Sequence, residues 1–538
     1  MKHRTIGEGL RLAVQANPQG EAILIGRQRL SFAELQTRAA EVAAGLRRLG
    51  VQPGDHVGIL MPNNLEYLLL FHGCALLGAA AVHFNSRYRR EELRYVIQDS
   101  GIKRLFTSAM QREFADYEVM LKDIYPALAD WNGSDRLALS EAPALEAIHL
   151  LHGPTQHAWP GWEALAGAGQ LPENEFCADP ERIALIMYTS GTTAQPKACL
   201  LSHRALEFCG QGLAERWQMG PADRFWDPLP FFHMSTILPL AACRASGAAF
   251  IGQEHFDAGE SVREIAEEAA TILFPSFPTL TNALFTHPEY APEKFASVRI
   301  VNNVGPADLL RRFADALPAA SHVSAYGLTE AGGVIAFNHP DDTLEQRTTT
   351  SGQVFDGVEV KVVDPDTLED KPAGEVGEIL IRGPSMFSGY LNAPEKTAEV
   401  TAPGGWLRSG DLGALVEGGR IRYVGRLKDM LKVGGENVAA IEIEGQLCQH
   451  PSIRMAQVVS APDERLVEVP AAFIELEPGA RLEREAVVEF LRGRIASFKI
   501  PRYVAFVTEW PMSATKIQKF KLRAMIDPAD RIEIQRKP

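Results

Sequence analysis

The chain has 538 residues, more than one hydrophobic core accommodates, so two or more domains are expected. Its 46% hydrophobic and 23% charged content excludes a disordered or fibrous chain and suits a globular protein in water. A net charge of −14 opposes the phosphates of nucleic acids and argues against them as partners.

The opening stretch MKHRTIGEGLRLAVQANP holds no apolar run of signal-peptide character, so a cytoplasmic location is expected. Residues 31–49 read as a helix. Ser31 and Glu34 form a capping box, and Leu30 and Leu35 a hydrophobic staple. Phe32, Leu35, Ala39, Val42 and Leu46 recur at helical spacing until Gly50 stops the run. A strand, DHVGILM, follows. The most apolar stretch is LEYLLLFHGCALLGAAAVHF, 65–84, but Glu66, His72, His83 and two glycines make it a buried helix running into a buried strand, not a membrane span. Helices and short apolar strands then alternate, the pattern of α/β layers. Residues 132–180 are too weakly periodic to assign. The six cysteines, Cys74, Cys177, Cys199, Cys209, Cys243 and Cys448, show no paired or metal-binding spacing and read as reduced thiols.

RIALIMY, 182–188, and ACLLS, 198–202, are strand-like and flank TSGTTAQPK. In the helix that follows, Leu206, Cys209, Leu213 and Trp217 share one face. The hydroxyls, glycine and lysine of the loop suit a phosphate. Yet it is not the G-x-x-x-x-G-K-[ST] loop, and it joins strand to strand. Its donors are then side-chain hydroxyls and loose backbone N–H groups. A Thr/Ser-rich turn alone is also a common surface feature. Past residue 355 the chain turns β-rich, with GVEVKVVD, GEVGEILIRG and RIRYVGR. From about 427 the strands AQVVSAP and PAAFIEL combine with a helix expected at 484–497. The Gly- and Lys-dense GRLKDMLKVGGEN, 425–437, marks a border. The expected fold is thus α/β. A large layered domain, 1–425, has parallel-rich sheets and a β-rich subdomain, and a small mobile α+β domain spans 426–538.

Five more motifs stand in order: YGLTEAGG at 326–333, GYLNAPEKTAEV at 389–400, WLRSGDLG at 406–413, GRLKDMLKVGGENVAAIEIE at 425–444 and PMSATKIQKFKLR at 511–523. With the hydroxyl-rich loop, this set resembles the adenylate-forming superfamily of acyl-CoA synthetases, peptide-synthetase adenylation domains and firefly luciferase. The resemblance spans roughly residues 20–525. It implies ATP, Mg²⁺ and coenzyme A as cofactors and a small carboxylic acid as substrate. A homodimer is compatible with it.

By that resemblance Thr189, Ser190, Gly191, Thr192, Thr193 and Lys197 cradle the β- and γ-phosphates, and Thr329 contacts the α-phosphate. Glu330 is the implied Mg²⁺ ligand, a hard oxygen for a hard ion. Tyr326 stacks on adenine with the Gly305, Pro306 and Ala307 backbone on its other face, and Ser324 sits at the adenine amine. Asp411 accepts the ribose hydroxyls, and Arg426 reaches ribose or phosphate. Lys516 bridges carboxylate and ATP, Lys428 is the hinge, and Gly434 and Gly435 line the thiol tunnel. The chain departs from the family pattern in three places. Ala194 and Ala198 replace glycines, Thr515–Lys516 lacks the intervening glycine, and NNVGPAD is poorer in glycine.

Peptide-synthetase domains read an amino acid through an aspartate; PFFHMST places His233 there, the position of a gate in acyl-CoA ligases. Acyl-pocket stretches supply Trp226, Phe231, Phe232, Phe274, Phe277 and Val334, with Asp227 at the edge and no cation aimed at a second carboxylate. A hydrophobic monocarboxylic acid is expected: fatty, aryl or alicyclic. Two other readings stay open, a homologue that binds nucleotide or acyl groups without turnover and an acyl-AMP ligase serving a carrier protein.

Overall fold

The computed structural model describes residues 4–110, 116–153, 159–189, 195–427, 430–433, 436–463, 465–512 and 517–532. Among these residues the chain forms four sheets. A six-stranded sheet runs in the order Ala147–Leu151, Arg104–Ser108, His56–Leu60, Ala80–His83, Ile183–Thr189, Lys197–Ser202, parallel except for the last pair. A seven-stranded sheet runs in the order Ser321–Val323, Ile300–Asn303, Ile272–Ser276, Arg224–Asp227, Ala249–Gly252, Glu21–Ile25, Gln28–Ser31, again antiparallel only at the last pair.

Both sheets are covered on both faces, as parallel sheets require. Between them, helices Phe32–Arg48, Leu65–Leu77, His203–Arg216 and Met234–Ser246 share one core with Ile59 and Leu185 of one sheet and Phe225, Ile272 and Ile300 of the other. On the outer face of the six-stranded sheet, Leu60, Val82 and Ile186 pack with helices Arg90–Ser100 and Tyr117–Ile124. On the outer face of the other, Trp226, Leu273 and Val301 pack with Ala258–Glu267 and Pro278–Phe285. The local signals explain the elements. Ser31 Oγ accepts from the Glu34 N–H while Glu34 Oε2 accepts from the Ser31 N–H, so the expected capping box starts the helix at Phe32. Leu65–Leu77 is a buried helix leading into the buried strand Ala80–His83. Among the described residues no helix is long and apolar enough to cross a membrane.

The β-rich region is an antiparallel sheet in the order Ala325–Leu328, Gly333–Phe337, Gln353–Val354, Arg420–Arg426, Trp406–Val416, Gly377–Arg382, Glu359–Val363, with Thr401–Ala402 beside Trp406–Val416. From Leu431 onward the chain builds a separate core, in which Ile443, Leu447, Val458, Ile474, Val488 and Leu491 pack together around strands Ile453–Asp463 and Val467–Leu476. The helix expected at 484–497 stops earlier, at Arg484–Leu491. Arg492 is already extended, with ψ 131°, and Gly493 follows at φ 73°, so the helix does not continue.

Candidate active site

Thr189 ends one strand and Lys197 begins the next, and the two face each other across the antiparallel ladder with Thr189 Oγ1 donating to Lys197 O at 3.4 Å. The hydroxyl-rich loop therefore joins two strands, as its sequence suggested. Ser190, Gly191, Thr192, Thr193 and Ala194 lie outside the described residues. Ala198 pairs with Tyr188 inside the ladder and has no positive φ, so an alanine sits there without strain.

Ser388 and the first residues of the GYLN motif run along the free edge of Lys197–Ser202: the Ser388 N–H donates to Leu200 O (2.8 Å), the Leu200 N–H to Gly389 O (3.0 Å) and the Leu391 N–H to Ala198 O (2.9 Å). This edge pairing delivers Tyr390 to the site. Its hydroxyl donates to Glu330 Oε1 at 2.7 Å, and Lys197 Nζ lies 5.0 Å from its ring centroid. Thr329–Ala331 is a single 3₁₀ turn. It ends at Gly332, whose φ is 79° and where a Cβ would meet Ser385 O at 2.6 Å; only glycine fits. Thr329 and Glu330 are half-buried. Burial, with the Glu330 charge second, pushes the Tyr390 phenol far above its ordinary pKa, so it remains a donor.

The motif residues of the antiparallel sheet meet nearby. Tyr326 lies on Ala325–Leu328, Asp411 on Trp406–Val416, and Arg426 is its register partner on the next strand. The Tyr326 hydroxyl donates to Asp411 Oδ2 at 3.0 Å, Arg426 Nε lies 2.9 Å from Oδ1, and the Tyr423 ring is 6.1 Å from that of Tyr326. Burial first, then the Asp411 charge, holds the Tyr326 phenol well above its usual range. Strands Ile300–Asn303 and Ser321–Val323 are parallel neighbours, so Gly305, Pro306 and Ala307 leave the sheet beside Ser324. Ser324 is buried, and Asn338 Oδ1 accepts from its backbone N–H at 2.8 Å. Pro306 caps the helix Ala307–Ala316, on which the second core rests: Gln449 Nε2 donates to Asp308 Oδ2 at 2.7 Å.

His233 precedes helix Met234–Ser246, half-buried with its ring 4.6 Å from that of Phe232. The start of that helix abuts the YGLTEAGG turn, since a Cβ on Gly333 would come within 3.1 Å of Met234 Cε. Phe277 and Val334 are partly buried at the margin of the central core, and Phe231 and Phe232 lie within it. One expected pocket residue is elsewhere. Trp226 faces the outer layer, its Nε1 donating to Glu264 Oε2 at 3.0 Å. Phe274 is 2% exposed and packs with Trp217, Phe225 and Phe337 in the same central core as Phe231 and Phe232. On a strand buried on both faces, neighbouring residues point to different layers although all are apolar. Asp227 is fully buried, and burial raises its carboxyl well above the usual range, so it presents no charge to a ligand.

Lys516, Lys428, Gly434 and Gly435 lie outside the described residues. Near Lys516 in sequence, Lys519 is an internal partner, its Nζ 2.7 Å from Glu444 Oε1. A cleft of about 200 Å³ separates Tyr423 and Arg426 from Ile441, Glu444 and Lys519. The sequence reading gave Tyr390 and Tyr423 no role; for Tyr390 the available signal was the GYLN motif itself. Among the described residues no group of three or more His, Cys, Asp or Glu could hold a metal. A single carboxylate such as Glu330 nevertheless fits Mg²⁺ that arrives with a nucleotide, because phosphate and water oxygens complete its octahedron.

Residues 10–391 match the family model described as AMP-binding enzyme, and residues 442–516 that of the AMP-binding enzyme C-terminal domain. YngI of Bacillus subtilis (strain 168) is 32% identical over 534 residues, covering 97% of either chain. The mitochondrial medium-chain acyl-CoA ligase ACSF2 of Rattus norvegicus is 31% identical over 547 residues, 98% of this chain and 88% of that one. Among solved structures, the anthranilate CoA ligase AuaEII in complex with anthranoyl-AMP has a TM-score of 0.86 and 26% identity, over 98% of this chain and 99% of that one.

Proposed function

Since this chain belongs to the AMP-binding, or adenylate-forming, enzymes, we propose that it is an ATP-dependent acid–CoA ligase acting on a hydrophobic monocarboxylic acid. The observation that carries this reading is the meeting of Lys197 and Glu330 on Tyr390, with Glu330 four residues after Tyr326, which meets Asp411 and through it Arg426.

In the first step the substrate carboxylate attacks the α-phosphorus of ATP, giving acyl-AMP and pyrophosphate. An acid of pKa about 4–5 is already ionised at neutral pH, so no base is needed. The difficulty is the approach of two anions, and catalysis consists of supplying donors and positive charge. We assign Thr189, Lys197 and the loop 190–193 to the β- and γ-phosphates and Thr329 to the α-phosphate. Glu330 would hold the Mg²⁺ that accompanies ATP, whose charge offsets that of the phosphates. Tyr326 and residues 305–307 would enclose adenine with Ser324 at its edge, and Asp411 and Arg426 would bind ribose. Asp411 is already engaged by Tyr326 and Arg426; each oxygen keeps a second lone pair for a ribose hydroxyl.

In the second step the CoA thiol displaces AMP. We take the domain border at 425/426, with Lys428 as a hinge that swings Lys516 in for the first step and Gly434–Gly435 in for the second. His233, at the junction of helix Met234–Ser246 and the Glu330 turn, is assigned as the gate between acyl pocket and thiol path. Medium-chain and aryl acids, the classes in the names of two similar proteins, both fall within the proposed substrate class.

Pyrophosphate release from ATP, measured with a panel of fatty, aryl, alicyclic and amino acids with and without CoA, tests this reading. At least one apolar acid should drive release and yield a CoA thioester. Robust exchange driven by a free amino acid, or release independent of any acid, would overturn it.

A further inference from the structure

The GYLN motif carries a residue that the proposed chemistry has not used. Tyr390 is 7% exposed and anchored on all sides. Its backbone N–H donates to Thr397 Oγ1 at 2.9 Å, it forms a β-bridge with Cys199, and the Phe387 ring meets it edge-on at 4.9 Å. The same short run also grips the Glu330 backbone, whose carbonyl accepts from the Phe387 N–H at 2.9 Å. A rigid ring therefore touches both charged groups at once, the carboxylate at its hydroxyl tip and the ammonium near its face.

Two opposite charges in one cleft tend to pair with each other. Such a pair would neutralise both groups and would have to break before a metal–nucleotide could bind. Among the described residues Lys197 and Glu330 form no ion pair; each instead contacts Tyr390. A phenol donating to one carboxylate oxygen fixes its rotamer and leaves the remaining lone pairs for a cation. An ammonium near a ring face is steadied without losing its charge.

We propose that Tyr390 is a positioning residue that keeps Glu330 and Lys197 separately oriented, the hydroxyl serving the metal contact and the ring serving the phosphate contact. This rests on the reading of Glu330 as the Mg²⁺ ligand, and the test separates the two. Binding of a β,γ-imido ATP analogue is measured by calorimetry with Mg²⁺ and with EDTA. In the wild type the metal strengthens binding. Tyr390→Phe retains the buried ring and should cut that strengthening about tenfold, the usual loss when a carboxylate ligand loses its supporting hydrogen bond. Its affinity in EDTA should be unchanged. Tyr390→Leu should in addition weaken metal-free binding about two- to fivefold. If Glu330→Gln keeps the full metal effect, the underlying reading of Glu330 is wrong. If Glu330→Gln loses the effect while Tyr390→Phe keeps it, the role given to Tyr390 alone is wrong.

Discussion

The hydroxyl of Tyr326 donates to Oδ2 of Asp411 at 3.0 Å, although 85 residues separate them. Arg426 Nε holds the other oxygen at 2.9 Å, and only 3% of the Asp411 side chain is exposed. A buried carboxylate clasped between a phenol and a guanidinium is fixed in position by bonds to both of its oxygens. That suits a group meant to accept hydroxyls of fixed geometry.

Asp411→Asn preserves shape and removes the charge. The KM for ATP is expected to rise about 10- to 100-fold, the equivalent of hydrogen bonds to a charged acceptor. The KM for the acid should change little. Steady-state kinetics with each substrate varied separately check this, and an unchanged KM for ATP would remove Asp411 from the nucleotide site.

Lys197→Ala removes the cation at the mouth of the hydroxyl-rich loop. Efficiency with ATP should fall on the order of 10²-fold through lost stabilisation of phosphate charge. Pyrophosphate release measured over a range of ATP concentrations checks it; near wild-type adenylation would make the loop ordinary surface.

The helix Phe32–Arg48 is legible residue by residue because its capping box and apolar period are local. The strand–loop–strand form of the hydroxyl-rich hairpin is legible for the same reason, from two short apolar runs around a polar turn. Tyr390 is a different case. Its motif can be read, but its bond to Glu330 joins residues 60 apart and depends on an edge pairing along Lys197–Ser202 that no local pattern encodes. Trp226 shows another limit. Apolar residues on a doubly buried strand look alike in sequence, and the layer each faces emerges only once the sheet is assembled. Helix Arg484–Leu491 ends early because Arg492 turns extended and Gly493 after it takes a left-handed conformation.

Five buried histidines give stability a definite pH dependence. Burial, the largest cause in each, holds His72, His83 and His149 down to about 3 and His203 and His322 down to about 4. Unfolded histidines take up protons below about 6.5 while these folded ones stay neutral. The unfolded state then binds more protons, so stability is present above about pH 6.5 and is lost as pH falls toward 4, by up to about 1.4 kcal/mol per pH unit for each group. Urea midpoints between pH 7 and pH 4.5 should fall steeply. His149, stacked on Phe106 at 4.5 Å, can be replaced by Phe, and His149→Phe should flatten that slope. An identical slope in the variant would contradict the assignment.

Lys516→Ala and Lys428→Pro should fail in different halves of the reaction. Without Lys516, acyl-AMP formation should be lost while supplied acyl-AMP is still converted to thioester. Proline at 428 fixes φ near −65°; acyl-AMP should form and transfer to CoA should be lost. Separate half-reaction assays on both variants decide it, and loss of the same half in both would rule out alternation about Lys428.

The central claim, attack of the substrate carboxylate on the α-phosphorus of ATP, is tested most directly by following oxygen. With an ¹⁸O-carboxylate as substrate and CoA as acceptor, the bridging oxygen of acyl-AMP stays with phosphorus when the thiol takes the acyl carbon. One ¹⁸O atom should appear in AMP for each thioester formed, with none in pyrophosphate. Label in inorganic phosphate or pyrophosphate, or thioester formed without label in AMP, would contradict it.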